Sequence, residues 1–111
     1  MTEVDIIRLR HMLDAARESL AFVEARTRED LNSNRVLALA LVKELEIIGE
    51  AASNVSFDVK ASMPEIPWVG ILAMKERLAH SYVDVDLDFV WTTVASMPNI
   101  ARRLESRLAE G

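Results

Sequence analysis

The chain has 111 residues, half of them apolar, with no cysteine and a formal charge of −5. That length supports a single domain over residues 1–111 with a moderate core, and the missing thiols exclude a disulfide framework or a thiolate metal site. An acidic balance argues against broad, sequence-independent nucleic-acid binding, which needs clustered lysine and arginine, so any RNA contact is expected to be local.

Taken in chain order, helical signals dominate. Thr2 is placed to cap a first helix with Glu3 and Asp5 in its opening turn. Ile6, Leu9, Leu13, Ala16, Leu20 and Val23 recur at helical spacing, and the helix is expected to end near Arg26. Thr27 and the cluster Asn32, Ser33, Asn34 offer the next start signals. From there Val36, Leu39, Ala40, Val42, Leu45, Ile47 and Ile48 carry a long apolar helix, with fraying expected beyond Ala52. Within it, Gly49, Glu50, Ala51 and Ala52 suit close backbone approach by a neighbouring helix. A short irregular or one-to-two-turn element is expected from Ser56 to Ala61, ahead of Pro64 and Pro67. Pro67 suits the first turn of a helix running from Trp68 to Tyr82. Val83 to Asp86 should turn the chain, and Asp84 or Asp86 should cap a last helix bearing Leu87, Val90, Trp91, Val94, Ile100, Leu104 and Leu108. Pro98 removes a backbone donor and disfavours helical geometry at Met97, predicting a kink or break between Ser96 and Asn99. The resulting fold class is all-α, an antiparallel bundle of four to five helices.

Several chemistries find no support. His11 has no second ligand at metal spacing and reads as a surface or interface residue, and no helix carries the Glu-x-x-His pattern of bundle metal sites. Neither a metal nor a cofactor is expected. Three isolated glycines cannot build a phosphate-cradling loop. Ser81 diverges from His80 by about 100° on a helix, which argues against a serine nucleophile. Asp84, Asp86 and Asp88 lack the glycine and terminal glutamate of a calcium loop. The N-terminal stretch holds acidic residues and no continuous apolar run, so neither a signal peptide nor a membrane span is expected, and a cytoplasmic location fits.

The stretch Met74, Lys75, Glu76, Arg77, Leu78, Ala79, His80, Ser81, Tyr82 stands apart. On a helix Lys75 falls near the middle of an apolar stripe formed by Trp68, Ile71, Leu72, Leu78, Ala79 and Tyr82, about 20° from Tyr82. An ammonium there is out of place without a partner, which predicts a polar cleft or a subunit seam rather than a dry core. His80 stacks one turn after Glu76, near Arg77, on the polar flank of the same helix. Cation, imidazole and phenol together suggest phosphate chemistry.

With its LEIIGEAASNVS block, its PEIPW segment, the LAHSY core and the VDVDLDFVW tail in that order, the second half of the chain resembles the HepT-like ribonuclease toxins of the HEPN superfamily. The family motif is arginine, a polar residue that is usually asparagine, three residues, histidine, one residue and tyrosine. By spacing, the histidine is His80 and the tyrosine Tyr82, while Lys75 and Glu76 occupy the arginine and polar positions and depart from the pattern. The resemblance implies a HEPN-like helical fold and a homodimer whose paired helices form a composite cleft. It also implies metal-independent cleavage of RNA through attack by a ribose 2′-hydroxyl. His80 would carry the proton and Lys75 the phosphate charge, with Glu76 beside them. Arg77 is an auxiliary phosphate contact by charge, although it projects about 160° from Lys75. The resemblance further implies a partner, an MntA-type nucleotidyltransferase antitoxin that transfers AMP to the tyrosine, here Tyr82. A rival reading, favoured by the two departures, is a non-catalytic helical dimer that binds the nucleotidyltransferase.

Overall fold

The computed structural model describes residues 1–80 and 85–110. Among these are seven helices and no strand: α1 (Glu3–Val23), α2 (Asp30–Ser33), α3 (Arg35–Ser53), α4 (Phe57–Ser62), α5 (Trp68–Ala79), α6 (Leu87–Ala95) and α7 (Met97–Glu110). The fold is therefore all-α, as the sequence indicates, with α1, α3, α5 and the interrupted pair α6 and α7 as the columns of a helical bundle. The helices α2 and α4 are short connectors. None of the described helices is long and apolar enough to cross a membrane.

Side-chain caps start most of the helices. Thr2 accepts from the backbone of Asp5 at 3.1 Å, Asn34 from Leu37 at 3.0 Å and Asp86 from Phe89 at 3.1 Å, each satisfying a first-turn N–H that has no helical partner. Asp84, the alternative cap for α6, lies outside the described residues, as do Ser81, Tyr82 and Val83. Ser56 caps α4, and its backbone N–H and hydroxyl both donate to the buried carboxylate of Asp5 at 2.9 Å. This ties the start of α1 to the segment just beyond α3, so those two helices run antiparallel. The bond from the Ser56 backbone, more than burial opposes it, holds the Asp5 carboxyl below the usual carboxylate range.

Leu9, Met12 and Ala16 of α1, Leu41, Leu45 and Ile48 of α3, Met74 of α5, Val90 and Val94 of α6 and Met97 and Leu104 of α7 meet in one core. Most of these lie on the stripes that helical periodicity marks, but Met12, Leu41 and Met97 do not, Val36 and Leu39 of the expected α3 stripe are exposed, and α5 differs as well. There the buried face is Ile71, Met74 and Leu78, while Ala79 is exposed and Lys75 and Leu72 sit at its edge. The stripe is thus rotated toward Met74, away from Lys75.

Four boundaries differ from expectation. Helix α1 stops at Val23 rather than near Arg26, because Ala25 adopts a left-handed φ of 61° and Arg26 then bonds back to the Val23 carbonyl. Glycine usually occupies such a position, so the stop leaves no glycine signal in the sequence. The one-turn α2 separates Thr27 from α3. Pro67 lies at the N-cap of α5, one position before its first turn, and α5 ends at Ala79, short of Tyr82. At Pro98 the expected interruption is a clean break: α6 ends at Ala95, and Pro98 falls in the first turn of α7, where its missing N–H costs nothing.

Gly49 sets the spacing of α3 and α5. A Cβ placed on it would lie 2.7 Å from Lys75 Cβ and 3.4 Å from Lys75 Cα, contacts that no rotamer change relieves. Gly49→Ala gains about 1 kcal/mol of helix propensity but forces the helices apart at a cost of about 1–3 kcal/mol. The packing loss should outweigh the propensity gain, and urea unfolding should show a net destabilisation of up to roughly 2 kcal/mol.

Glu44 is the core's weak point. It is buried on α3 with Oε2 lacking any hydrogen-bond partner, and burial, reinforced by the nearby Glu18 carboxylate, pushes its pKa up to about 7. The folded value lies above the ordinary 4.5, so the native state binds the proton more tightly than the unfolded chain. Stability therefore falls as pH rises from about 4.5 to about 7, and the full penalty applies above that window. Glu44→Gln should raise stability at pH 8 by about 1–3 kcal/mol and leave it nearly unchanged at pH 4, as read from melting curves at the two pH values.

Candidate active site

On α5, Lys75 turns its side chain toward α3. Its ammonium lies 3.1 Å from Glu50 Oε2 and donates to Ser53 Oγ at 3.2 Å, and Asn54 Nδ2 donates to Glu50 Oε1 at 3.3 Å. Glu50, Ser53 and Asn54 belong to the last turn and C-cap of α3, so the bare Cα of Gly49 and the polar end of the same helix together seat the lysine stem and its charge. The hydrogen bond from Lys75 is the main cause that holds the Glu50 carboxyl below the ordinary range. The lysine side chain is 39 % exposed, which places it at the bundle edge in contact with solvent. Of the two expected settings, a polar cleft or a subunit seam, the cleft is what a single chain provides: Lys75 has an anionic partner there, and its position by itself requires no second subunit.

Around Lys75 opens a groove of about 390 Å³ between α1, α3 and α5, lined by Arg8, His11, Lys43, Glu46, Glu50 and Lys75. Sequence reasoning placed Lys75 here and missed the others. The signal was present as a polar stripe: Arg8 and His11 are three apart on α1, and Lys43, Glu46 and Glu50 stand at positions i, i+3 and i+7 on α3. Helical spacing identifies each stripe, but only the packing of α1 on α3 brings the two together.

His80 is the C-cap of α5, its backbone N–H bonded to the carbonyl of Arg77 at 3.3 Å. Its Nε2 lies 2.9 Å from Glu76 Oε1, as the one-turn spacing predicts, with the two side chains 74 % and 77 % exposed. Such an exposed pair adds little stability, so the imidazole is free to exchange its partner for a ligand. Arg77 points elsewhere. Its guanidinium bonds Asp86 Oδ2 at 2.7 Å and stacks 3.9 Å over the ring of Phe89, joining the end of α5 to the start of α6.

The predicted residues thus fall into three groupings: Lys75 with Glu50 and Ser53, Glu76 with His80, and Arg77 with Asp86 and Phe89. On an ideal helix Lys75 and His80 diverge by about 140°, and His80 does not line the groove that holds Lys75. Tyr82 lies outside the described residues. No group of three histidine, cysteine or acidic residues able to hold a metal ion occurs among the described residues.

Comparison with known proteins bears on this arrangement. Residues 12–106 match the family model described as ribonuclease HepT-like. The chain is 35 % identical over 98 residues to a probable ribonuclease HepT of Thermococcus cleftensis, covering 84 % of this chain and 89 % of that one. It is 30 % identical over 101 residues to a chain of Caldanaerobacter subterraneus named provisionally as an RNase, covering 90 % of each. A Methanocaldococcus jannaschii chain, also named provisionally as an RNase, is 26 % identical over 95 residues, covering 85 % of this chain and 78 % of its own length. No solved structure matches the chain. With nearly its whole length matched, and with the polar end of α3 and the Lys75–His80 segment of α5 inside the match, the chain belongs to the HepT-like ribonuclease family.

Proposed function

We propose that this protein is the toxin of a toxin–antitoxin pair and cleaves RNA without a metal ion. The observation that carries the reading is the end of α5: a cation held at a groove by Glu50 and, five positions on, an exposed imidazole at the helix C-cap. In the proposed reaction the ribose 2′-oxygen attacks the adjacent phosphorus, the bond to the 5′-oxygen breaks, and a 2′,3′-cyclic phosphate and a free 5′-hydroxyl result. His80 accepts the 2′-hydroxyl proton or donates one to the departing 5′-oxygen, and Lys75 offsets the charge that gathers on the phosphate. Glu76 keeps the imidazole oriented until RNA displaces it.

Because Lys75 and His80 point to different sides of α5, one copy of the helix does not present both to the same phosphate. A homodimer in which two α5 helices meet supplies the cation from one subunit and the imidazole from the other, and this is the assembly we propose. The regulating partner is an MntA-type nucleotidyltransferase that adds AMP to Tyr82, where bulk and negative charge would keep RNA out. The competing reading, a non-catalytic dimer that only binds the nucleotidyltransferase, draws on one observation: carboxylates already occupy both Lys75 and His80.

Purified protein should cleave RNA in the presence of EDTA, and His80→Ala should lower the rate at least about a hundredfold. Equal rates for the two proteins would leave the non-catalytic reading standing. Arginine engages a phosphate through two directed bonds where lysine offers a point charge, and asparagine removes the carboxylate next to His80. Lys75→Arg combined with Glu76→Asn should therefore speed cleavage about tenfold, a gain that His80→Ala abolishes. Co-expression with the nucleotidyltransferase should add the mass of one or more AMP units to the intact chain. Persistence of that mass in Tyr82→Phe would move the modification to another residue.

A further inference from the structure

The groove between α1, α3 and α5 holds more chemistry than the Lys75–Glu50 pair uses. Three arginines that bridge elements find a carboxylate, Arg17 with Glu105, Arg28 with Asp88 and Arg77 with Asp86, and Arg107 donates to the Ser62 hydroxyl. Arg8 pairs with none among the described residues, and its Nε is buried without a hydrogen-bond partner. A buried donor left unmade is costly, and the cost is recovered when a ligand supplies the acceptor. Lys43 and Glu46, one turn apart on the facing helix, also enter no ion pair among the described residues. The groove therefore offers two uncommitted cations, one uncommitted carboxylate and the imidazole of His11, next to an ammonium already neutralised by Glu50.

We propose that this groove is a ribonucleotide subsite that binds one phosphate–ribose unit of RNA beside Lys75, with Arg8 and Lys43 on the phosphate and Glu46 on the ribose hydroxyls. A bare phosphate fits poorly, because Glu46 would repel it. A nucleotide carries both an anion for the cations and hydroxyl donors for the carboxylate, which is the mixture the groove presents. Ile47, Ala51 and Ala79 supply an apolar wall against which the sugar or base can lie. Its volume of about 390 Å³ lies within the roughly 300–1,000 Å³ range of small-ligand clefts. A carboxylate accepting from the 2′-hydroxyl also distinguishes RNA from DNA, since only the former has that donor. The subsite confines the positive contacts to one place, so a chain of net charge −5 can hold RNA without a basic surface.

The placement beside the scissile phosphate rests on the ribonuclease reading, whereas the binding does not, and the two are separable. A fluorescein-labelled RNA 12-mer of mixed sequence would be titrated by anisotropy into the full-length His80→Ala protein, which should leave it intact, and into the same protein carrying groove substitutions. Lys43→Ala, at an exposed position that tolerates truncation, and Arg8→Ala should each weaken binding about five- to tenfold and lower the slope of log affinity against log salt by about 0.7. Arg8→Lys guards against a fold defect and should bind with intermediate affinity. Glu46→Ala should shrink the preference for RNA over DNA of the same sequence. Arg102→Ala with Arg103→Ala, on the exposed flank of α7, should change none of these readings. Undetectable RNA binding by the parent, or equal binding by parent and groove variants, overturns the subsite. If the natural chain cleaves RNA but the groove variants bind as the parent does, the subsite falls and the ribonuclease stands. If the groove variants lose binding while the natural chain cleaves nothing, the ribonuclease reading falls and the subsite stands.

Discussion

The contact between Gly49 and Lys75 governs the arrangement of this protein. With no side chain at Gly49, α5 approaches α3 until a lysine Cβ fills the space where another residue would place its own, and the lysine stem is then directed along the last turn of α3. Glu50 and Ser53 stand at the end of that path and hold the ammonium. Backbone spacing, burial of the apolar stem and placement of a positive charge thus follow from one missing methyl group. Lysine suits the location because its apolar stem can be packed while its head reaches the solvent edge.

Much of the scaffold was legible because it rests on local rules. The buried positions Leu9, Leu13 and Ala16 on α1 and Val42, Leu45 and Ile48 on α3, the caps at Thr2 and Asp86, and the break at Pro98 depend on neighbouring residues, which the sequence displays directly. The stop of α1 was not legible, because it relies on Ala25 adopting a conformation that alanine seldom adopts. The face of α5 was misread for a related reason. Met74 is a flexible filler that sequence periodicity alone ranked below Ala79, yet three-dimensional packing turned it into the core.

For the site the division falls at another level. Spacing gave the pairing of Glu76 with His80, since both lie on one helix, and it gave Arg77 a direction away from Lys75. It could not give Glu50 as the partner of Lys75 or Arg8 and Lys43 as neighbours of the same groove, because those relations cross between helices far apart in sequence. Family likeness pointed to the segment from Lys75 to Tyr82 but supplied nothing about α1. The unsatisfied nitrogen of Arg8 and the unsatisfied carboxyl oxygen of Glu44 follow from the assembled bundle and not from local sequence. They differ in kind: Glu44 is a penalty enclosed by the core, whereas Arg8 lines the groove between α1, α3 and α5.

The order of packing has a consequence for synthesis. Helix α7 lies against α1, so residues made later cover residues made earlier, and Met97, Ile100 and Leu104 pack onto the core that includes Leu9 and Met12. A ribosome-bound chain lacking α7 therefore carries an unsealed apolar face and an incomplete bundle, however well α1, α3 and α5 associate. A topology in which α7 seals the core delays completion of the bundle until that helix has emerged from the ribosome.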